Sequence, residues 1–145
     1  MLRIVSDGEN RHRLEDATGT AIGWIRGRTI GFRGFPREDV ARDAAVAASH
    51  AMQAALRLQY PGWLWYEAAV DKLRLVHDGA YEWFYDGTAA IARLLRPHPR
   101  AYDDTLGIEL VLPSYASEGV AMTVAQSLGR AVAPYRHPGS PAPAA

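Results

Sequence analysis

Leu2-Arg3-Ile4-Val5-Ser6-Asp7-Gly8 returns as Leu73-Arg74-Leu75-Val76-His77-Asp78-Gly79. Five of the seven positions are identical, a sixth exchanges isoleucine for leucine, and the text after each copy stays in step. Self-similarity of this kind precedes motif reading, because it fixes the architecture. After each Asp-Gly comes a second extended run, Arg11 to Glu15 and Tyr81 to Tyr85. A polar turn follows, Ala17-Thr18-Gly19-Thr20 and Asp86-Gly87-Thr88. The third runs are Ala21-Ile22-Gly23-Trp24-Ile25 and Ala90-Ile91-Ala92-Arg93-Leu94, and the fourth are Ile30-Gly31-Phe32 and Ile108-Glu109-Leu110. Each fourth run leads to a proline, Pro36 or Pro113, and then to an alanine-rich stretch with helical spacing.

The expected fold is therefore α+β: an internal duplication of a meander of antiparallel strands followed by one helix, with the two units in a pseudo-twofold arrangement. Asp-Gly between apolar runs supplies the positive φ of a tight hairpin, and Gly19 and Gly87 punctuate the next connection. In the first helix Val40, Ala44, Ala48, Ala51 and Ala55 recur every three or four residues. Pro36 suits the first turn, Glu38 and Asp39 suit the positive end of the helix dipole, and Pro61-Gly62 stops the helix. The second helix, 117–132, sets Val120, Val124, Leu128 and Ala131 on one face, with Pro134 beyond it. One domain of residues 1–133 is expected, made of repeats 1–60 and 72–133 joined by an aromatic linker 61–71. A flexible Pro/Ala-rich tail, 134–145, follows.

Leu2-Arg3-Ile4-Val5-Ser6-Asp7, Gly8-Glu9-Asn10, Arg11-His12-Arg13-Leu14-Glu15-Asp16-Ala17 and Thr18-Gly19-Thr20-Ala21-Ile22-Gly23 together resemble, in layout, the small tandem-repeat bacterial family represented by YegP. The resemblance covers both units to about Val132. Phe32-Arg33-Gly34-Phe35 replaces that family's Ser-Glu-Gly-Tyr stretch, a strand is inserted, and the helix lacks its Asn-Gly-Ile signature. The resemblance implies a duplicated strand-and-helix unit and carries no defined activity.

Composition narrows the chemistry. The 145 residues are 48% hydrophobic, enough for one domain with a core. Sixteen basic residues balance sixteen acidic ones, so an anionic partner requires a local patch. There is no cysteine, which excludes disulfides, thiol catalysis and thiolate metal sites. No segment approaches the roughly 20 apolar residues of a membrane span. A cytoplasmic protein with no membrane partner is expected. Histidines 12, 50, 77, 98 and 137 are scattered, and none forms an i, i+4 pair. No metal site, cofactor or catalytic residue is therefore expected. His50 reads as a half-exposed helical residue. Asp78 beside His77 reads as a turn former, and Asp103-Asp104 as solvated loop acids. Glycines 23, 27, 31 and 34 fall inside strand patterns and read as bulges or close-packing sites.

Two features could carry function. Arg26, Arg28 and Arg33 cluster beside Trp24 with no acidic residue between them, next to Arg11 and Arg13 on the neighbouring run. That mixture suits a sheet that binds nucleic acid or another anion, and equally a solubilising face whose arginine stems cover Trp24. The second feature is aromatic: Trp63, Trp65, Tyr81, Trp83 and Tyr85, with Tyr60, Tyr66 and Phe84, hold eight of the fourteen aromatic residues. Both faces of 81–85 are aromatic, so an interface, a ligand groove or cover by the linker is required. The leading expectation is a non-enzymatic interaction module acting as a homodimer. The alternatives are a sheet-based nucleic-acid binder using Trp24, Arg26, Arg28 and Arg33, and an enzyme with its site at the repeat junction.

Overall fold

The computed structural model describes residues 2–60, 74–78, 81–85, 90–95 and 105–136, with the backbone alone at 74–78, 81–85, 90 and 91. Strands β1 (Arg3–Ser6), β2 (Arg11–Glu15), β3 (Ala21–Arg26) and β4 (Thr29–Phe35) precede helix α1 (Glu38–Gln59). Strands β5 (Arg74–Asp78), β6 (Tyr81–Tyr85), β7 (Ala90–Leu95) and β8 (Leu106–Val111) precede α2 (Glu118–Val132). A 3-10 turn, Ala133–Tyr135, follows. The expected α+β class and the meander-then-helix order are present.

All eight strands form one antiparallel sheet in the order β1-β2-β3-β4-β8-β7-β6-β5. The central pairing is β4 with β8, in which Ile30 faces Leu110, Gly31 faces Glu109 and Phe32 faces Ile108. Irregular register occurs at Leu14/Glu15 between β2 and β3, and at Phe84/Tyr85 between β6 and β7.

Both helices cover the same face of the sheet. α1 packs chiefly on β8 and β7, α2 reaches β3 and β4, and the helices pack on each other. Strand alternation sends Leu14, Ile25, Ile30, Phe32, Leu94, Ile108 and Leu110 into the core beneath them, and the β4 irregularity at Gly34 turns Phe35 inward as well. Each such side chain contributes about 1.5–3 kcal/mol when fully buried. On α1 the buried positions include Ala41, Ala44, Ala45, Ala48, Met52 and Leu56, and on α2 Ala121, Val124, Ala125, Leu128, Gly129 and Val132. Small side chains allow this close approach. A methyl group on Gly129 would overlap Leu2, whose backbone is held to α2 in both directions: its N–H donates to Gln126 Oε1 (3.2 Å) and its carbonyl accepts from Gln126 Nε2 (2.8 Å).

Several local expectations need correction. The buried stripe of α1 is wider than the expected one: Ala44, Ala48 and Ala55 are buried and Val40 and Ala51 pack partly buried against the core, because the helix touches both the sheet and α2. Val120 and Ala131 are likewise marginal on α2. Pro36 lies before the N-cap, Arg37, and not within the first turn. Asp7-Gly8 does not form a two-residue hairpin. The loop runs from Asp7 to Asn10, with positive φ at Gly8 (124°) and Asn10 (55°). Gly27 (φ 59°) is the turn residue between β3 and β4, not a strand position, whereas Gly34 (φ 108°) sits at a β4 irregularity as expected of a bulge. His50 is exposed on α1, as its helical position suggested.

Of the expected tail, Pro134 and Tyr135 lie in the 3-10 turn and Arg136 follows it. The Arg136 Nε donates to the Arg33 carbonyl at 2.8 Å, over Gly34. Burial lowers the pKa of this guanidinium, with the nearby Asp16 charge acting the other way. Residues 137–145 lie outside the described residues, as does the linker 61–71. Tyr60, just before that linker, packs edge-on against Tyr115 with centroids 4.9 Å apart.

Candidate functional site: the outer face of the sheet

The face of the sheet turned away from the helices carries the polar alternates of the core residues. On β2, His12 and Leu14 point inward, so Arg11, Arg13 and Glu15 point outward. On β3 and β4 the outward set includes Trp24, Arg26, Gly31 and Arg33, and on β7 and β8 it includes Arg93 and Glu109.

One row crosses all of these strands. Val5 is registered with Arg13, Arg13 with Trp24, Trp24 with Gly31, Gly31 with Glu109, and Glu109 with Arg93. Backbone register continues it from Arg93 to Trp83 and from Trp83 to Val76.

The Trp24 indole lies across Gly31, where any Cβ would overlap the ring. Its Nε1 donates to Glu109 Oε2 at 3.3 Å, while Glu109 Oε1 is paired with the Arg93 guanidinium. Glu109 is only 7% exposed and Trp24 8%. Two guanidinium groups cap the ring: Arg26 Cζ is 5.1 Å from its centroid and Arg33 Cζ 5.7 Å. These distances suit cation–π attraction, about 0.5–2 kcal/mol each depending on desolvation. A second buried carboxylate, Glu15, holds Arg13 at 2.7 Å and Arg3 at 3.7 Å.

The structure thus brings together three of the four residues of the expected arginine–tryptophan surface. Trp24, Arg26 and Arg33 meet, but Trp24 is covered and its ring is closed to a ligand. Arg28 is not on the strand face at all. It lies exposed in the β3–β4 turn, because Gly27 ends the strand one residue earlier. Of the expected aromatic interface, Trp63 and Trp65 lie outside the described residues, and Tyr81, Trp83 and Tyr85 are described as the backbone of β6 only.

Sequence reasoning missed Glu109 and its pairing with Arg93. The signal was available in the paired runs, where Trp24 aligns with Arg93 and Gly31 with Glu109. It also missed His12, buried on the inner face, with its Nε2 2.7 Å from Glu118 Oε1. That contact ties β2 to the first turn of α2, whose N-cap Ser117 accepts from Val120 N–H at 3.2 Å. A cleft of about 230 Å3 beside it is lined by Asn10, His12, Arg28, Ser117 and Glu118 among others.

Chemically, the outer face offers charge. Arg3, Arg11, Arg13, Arg26, Arg33 and Arg93 face two carboxylates, Glu15 and Glu109, that are buried and already engaged. Because the chain as a whole is neutral, this excess implies that charge is segregated between faces. Among the described residues no group of three metal-ligating side chains occurs, and no helix is long and apolar enough to cross a membrane. In comparisons with known proteins, no family model, curated protein or solved structure gave a significant match.

Proposed function

We propose that this chain is a non-enzymatic interaction module, built from a duplicated strand-and-helix unit, that docks an anionic partner on the outer face of its sheet. The observation that carries the reading is the surplus of arginine on that face. Among the described residues, six guanidinium groups stand over two carboxylates on the face of the sheet that neither helix covers.

The duplication is supported by the strand order, which reads the same from either edge once β1–β4 are matched to β5–β8. It is supported again by two of the three register irregularities among the described residues, Leu14/Glu15 and Phe84/Tyr85, which fall at matching positions of the two units. The row through Gly31 and Glu109 maps onto itself under the same exchange. A pseudo-twofold axis would then pass between β4 and β8 within a single domain, and each helix would cover the other unit's strands.

Glu109 stands at that junction, where the enzymatic alternative would place a site. Its oxygens are engaged by Trp24 and Arg93, which gives it a structural part to play. The interaction reading is therefore preferred.

Retention on an immobilised polyanion such as heparin tests the reading. The wild-type chain should be retained at low salt and released as salt rises. Neutralising Arg11 and Arg26 should advance elution, while neutralising Arg42 and Arg57 on α1 should not. Failure to bind, or equal sensitivity to the α1 changes, would remove the outer face as the docking surface.

Homodimerisation is the second reading, favoured by the two open edges of the sheet, β1 and β5. Light scattering across a concentration series tests it, with Trp83→Ala expected to reduce the mass if the aromatic strand mediates contact.

A further inference from the structure

Arg11 and Arg26 are directly opposed across β2 and β3. Both are exposed, and neither has an acidic partner among the described residues. Directly opposed like charges destabilise an antiparallel pair, since their Cβ atoms sit only about 5 Å apart. The chain elsewhere neutralises its outer arginines: Glu15 serves Arg3 and Arg13, and Glu109 serves Arg93. At the Arg11–Arg26 position no described residue does so. An uncompensated guanidinium pair held by strand register is a fork for an anionic oxygen, and exposed Arg28 lies in the turn just beyond it.

The same Arg26 guanidinium lies over Trp24, its Cζ 5.1 Å from the ring centroid, and the residue is exposed. A planar guanidinium seated on an indole offers a surface on which a flat heterocycle can stack. A phosphate fork and a stacking plane thus share one residue. Together they match the alternation of phosphate and base along an unpaired strand, whereas an acidic peptide would use the charge and leave the plane unused. Arginine, not lysine, suits both tasks, and Lys72 is the chain's one lysine.

From this juxtaposition we infer that the anionic partner is a single-stranded nucleic acid, its phosphates held by Arg11 and Arg26 and a base stacked on the Arg26 guanidinium above Trp24. The inference rests on the outer face being the docking surface, and it adds the class of partner.

Fluorescence anisotropy with a labelled mixed-sequence oligonucleotide, titrated with the full chain at several salt concentrations, tests it. Binding of the single strand should exceed that of the matching duplex and survive an excess of poly-glutamate. Arg11→Gln with Arg26→Gln should weaken binding by on the order of tenfold and flatten the salt dependence by about 0.7 per lost phosphate contact. Arg26→Lys keeps the charge and removes the stacking plane, so it should weaken binding while leaving the salt slope unchanged. Arg42→Gln with Arg57→Gln should change nothing. Circular dichroism of each variant separates lost binding from lost folding. Equal binding of duplex, full competition by poly-glutamate, or an unaffected Arg11→Gln/Arg26→Gln variant would overturn the inference. If heparin retention depends on the outer face but no oligonucleotide binds, the inference fails while the docking surface stands.

Discussion

The Trp24 indole occupies the space that a side chain at Gly31 would need, one strand away on the same face of the sheet. This explains a glycine at the centre of a strand, where the residue is otherwise costly. It also explains how a tryptophan on the outer face stays 8% exposed. Gly31→Ala should therefore lift the ring from its seat, disturb its contact with Glu109, and destabilise the fold by about 1–3 kcal/mol. Thermal or urea unfolding checks this, and an unchanged midpoint would show that the ring has another resting place.

The buried carboxylate beneath that ring makes a second prediction. Glu109→Leu leaves the Trp24 Nε1 and the Arg93 guanidinium without their shared acceptor, at a cost of about 1–3 kcal/mol. Adding Arg93→Leu should recover part of the loss, because the double change removes both halves of the buried ion pair instead of one. Urea midpoints of the two singles and the double form the cycle. A double variant as unstable as the sum of the singles would mean that the two side chains act independently.

Much of this was legible in the sequence because the two units share an order of turns and apolar runs. Asp7-Gly8 and Asp78-Gly79, with the runs after them, located all eight strands, and Ser117 and the alanine-rich stretches located both helices. Trp24, Arg26 and Arg33 were recognised as neighbours because the arginines recur beside Trp24 with no acidic residue between them. What could not be read was pairing between units. The opposition of Gly31 to Glu109, 78 positions apart in the chain, depends on β4 meeting β8, and no local rule states it. Arg28 was misplaced because Gly27 looks like any other strand glycine until the turn is seen. The buried faces of α1 and α2 were read too narrowly, since each helix packs on two elements at once and its buried stripe is wider than a single 3.6-residue row.

Asp16 gives a prediction about pH. Its Oδ1 accepts from the Thr18 hydroxyl at 2.6 Å and from the N–H groups of Thr18 (2.9 Å) and Thr20 (3.0 Å), closing the β2–β3 turn. The Thr18 hydroxyl bond is the main cause that lowers its pKa, partly opposed by desolvation and helped by the two backbone bonds. A depressed carboxylate contributes stability that is present above its unfolded pKa of roughly 3.9, and that is lost as pH falls through the lower folded value. Asp16→Ala should cost about 1 kcal/mol at neutral pH and reduce the steepness of acid unfolding. An identical acid profile in the variant would remove Asp16 from the account.

Arg11 separates folding from binding. Relieving its opposition to Arg26 with Arg11→Gln should raise stability by a few tenths of a kcal/mol in the absence of any partner. The same change should lower the affinity for the oligonucleotide. Calorimetric unfolding and anisotropy on one preparation give both values. A variant that loses stability would indicate that Arg11 holds the strand together and is not held in reserve for an anion.

The most direct test of the docking surface is the salt concentration at which the chain leaves heparin, compared for wild type, Arg11→Gln/Arg26→Gln and Arg42→Gln/Arg57→Gln. Both double variants remove the same charge, so only its position differs. Earlier release of the outer-face variant alone is the predicted result. Earlier release of both to the same extent, or no retention of the wild type at low salt, would contradict the account.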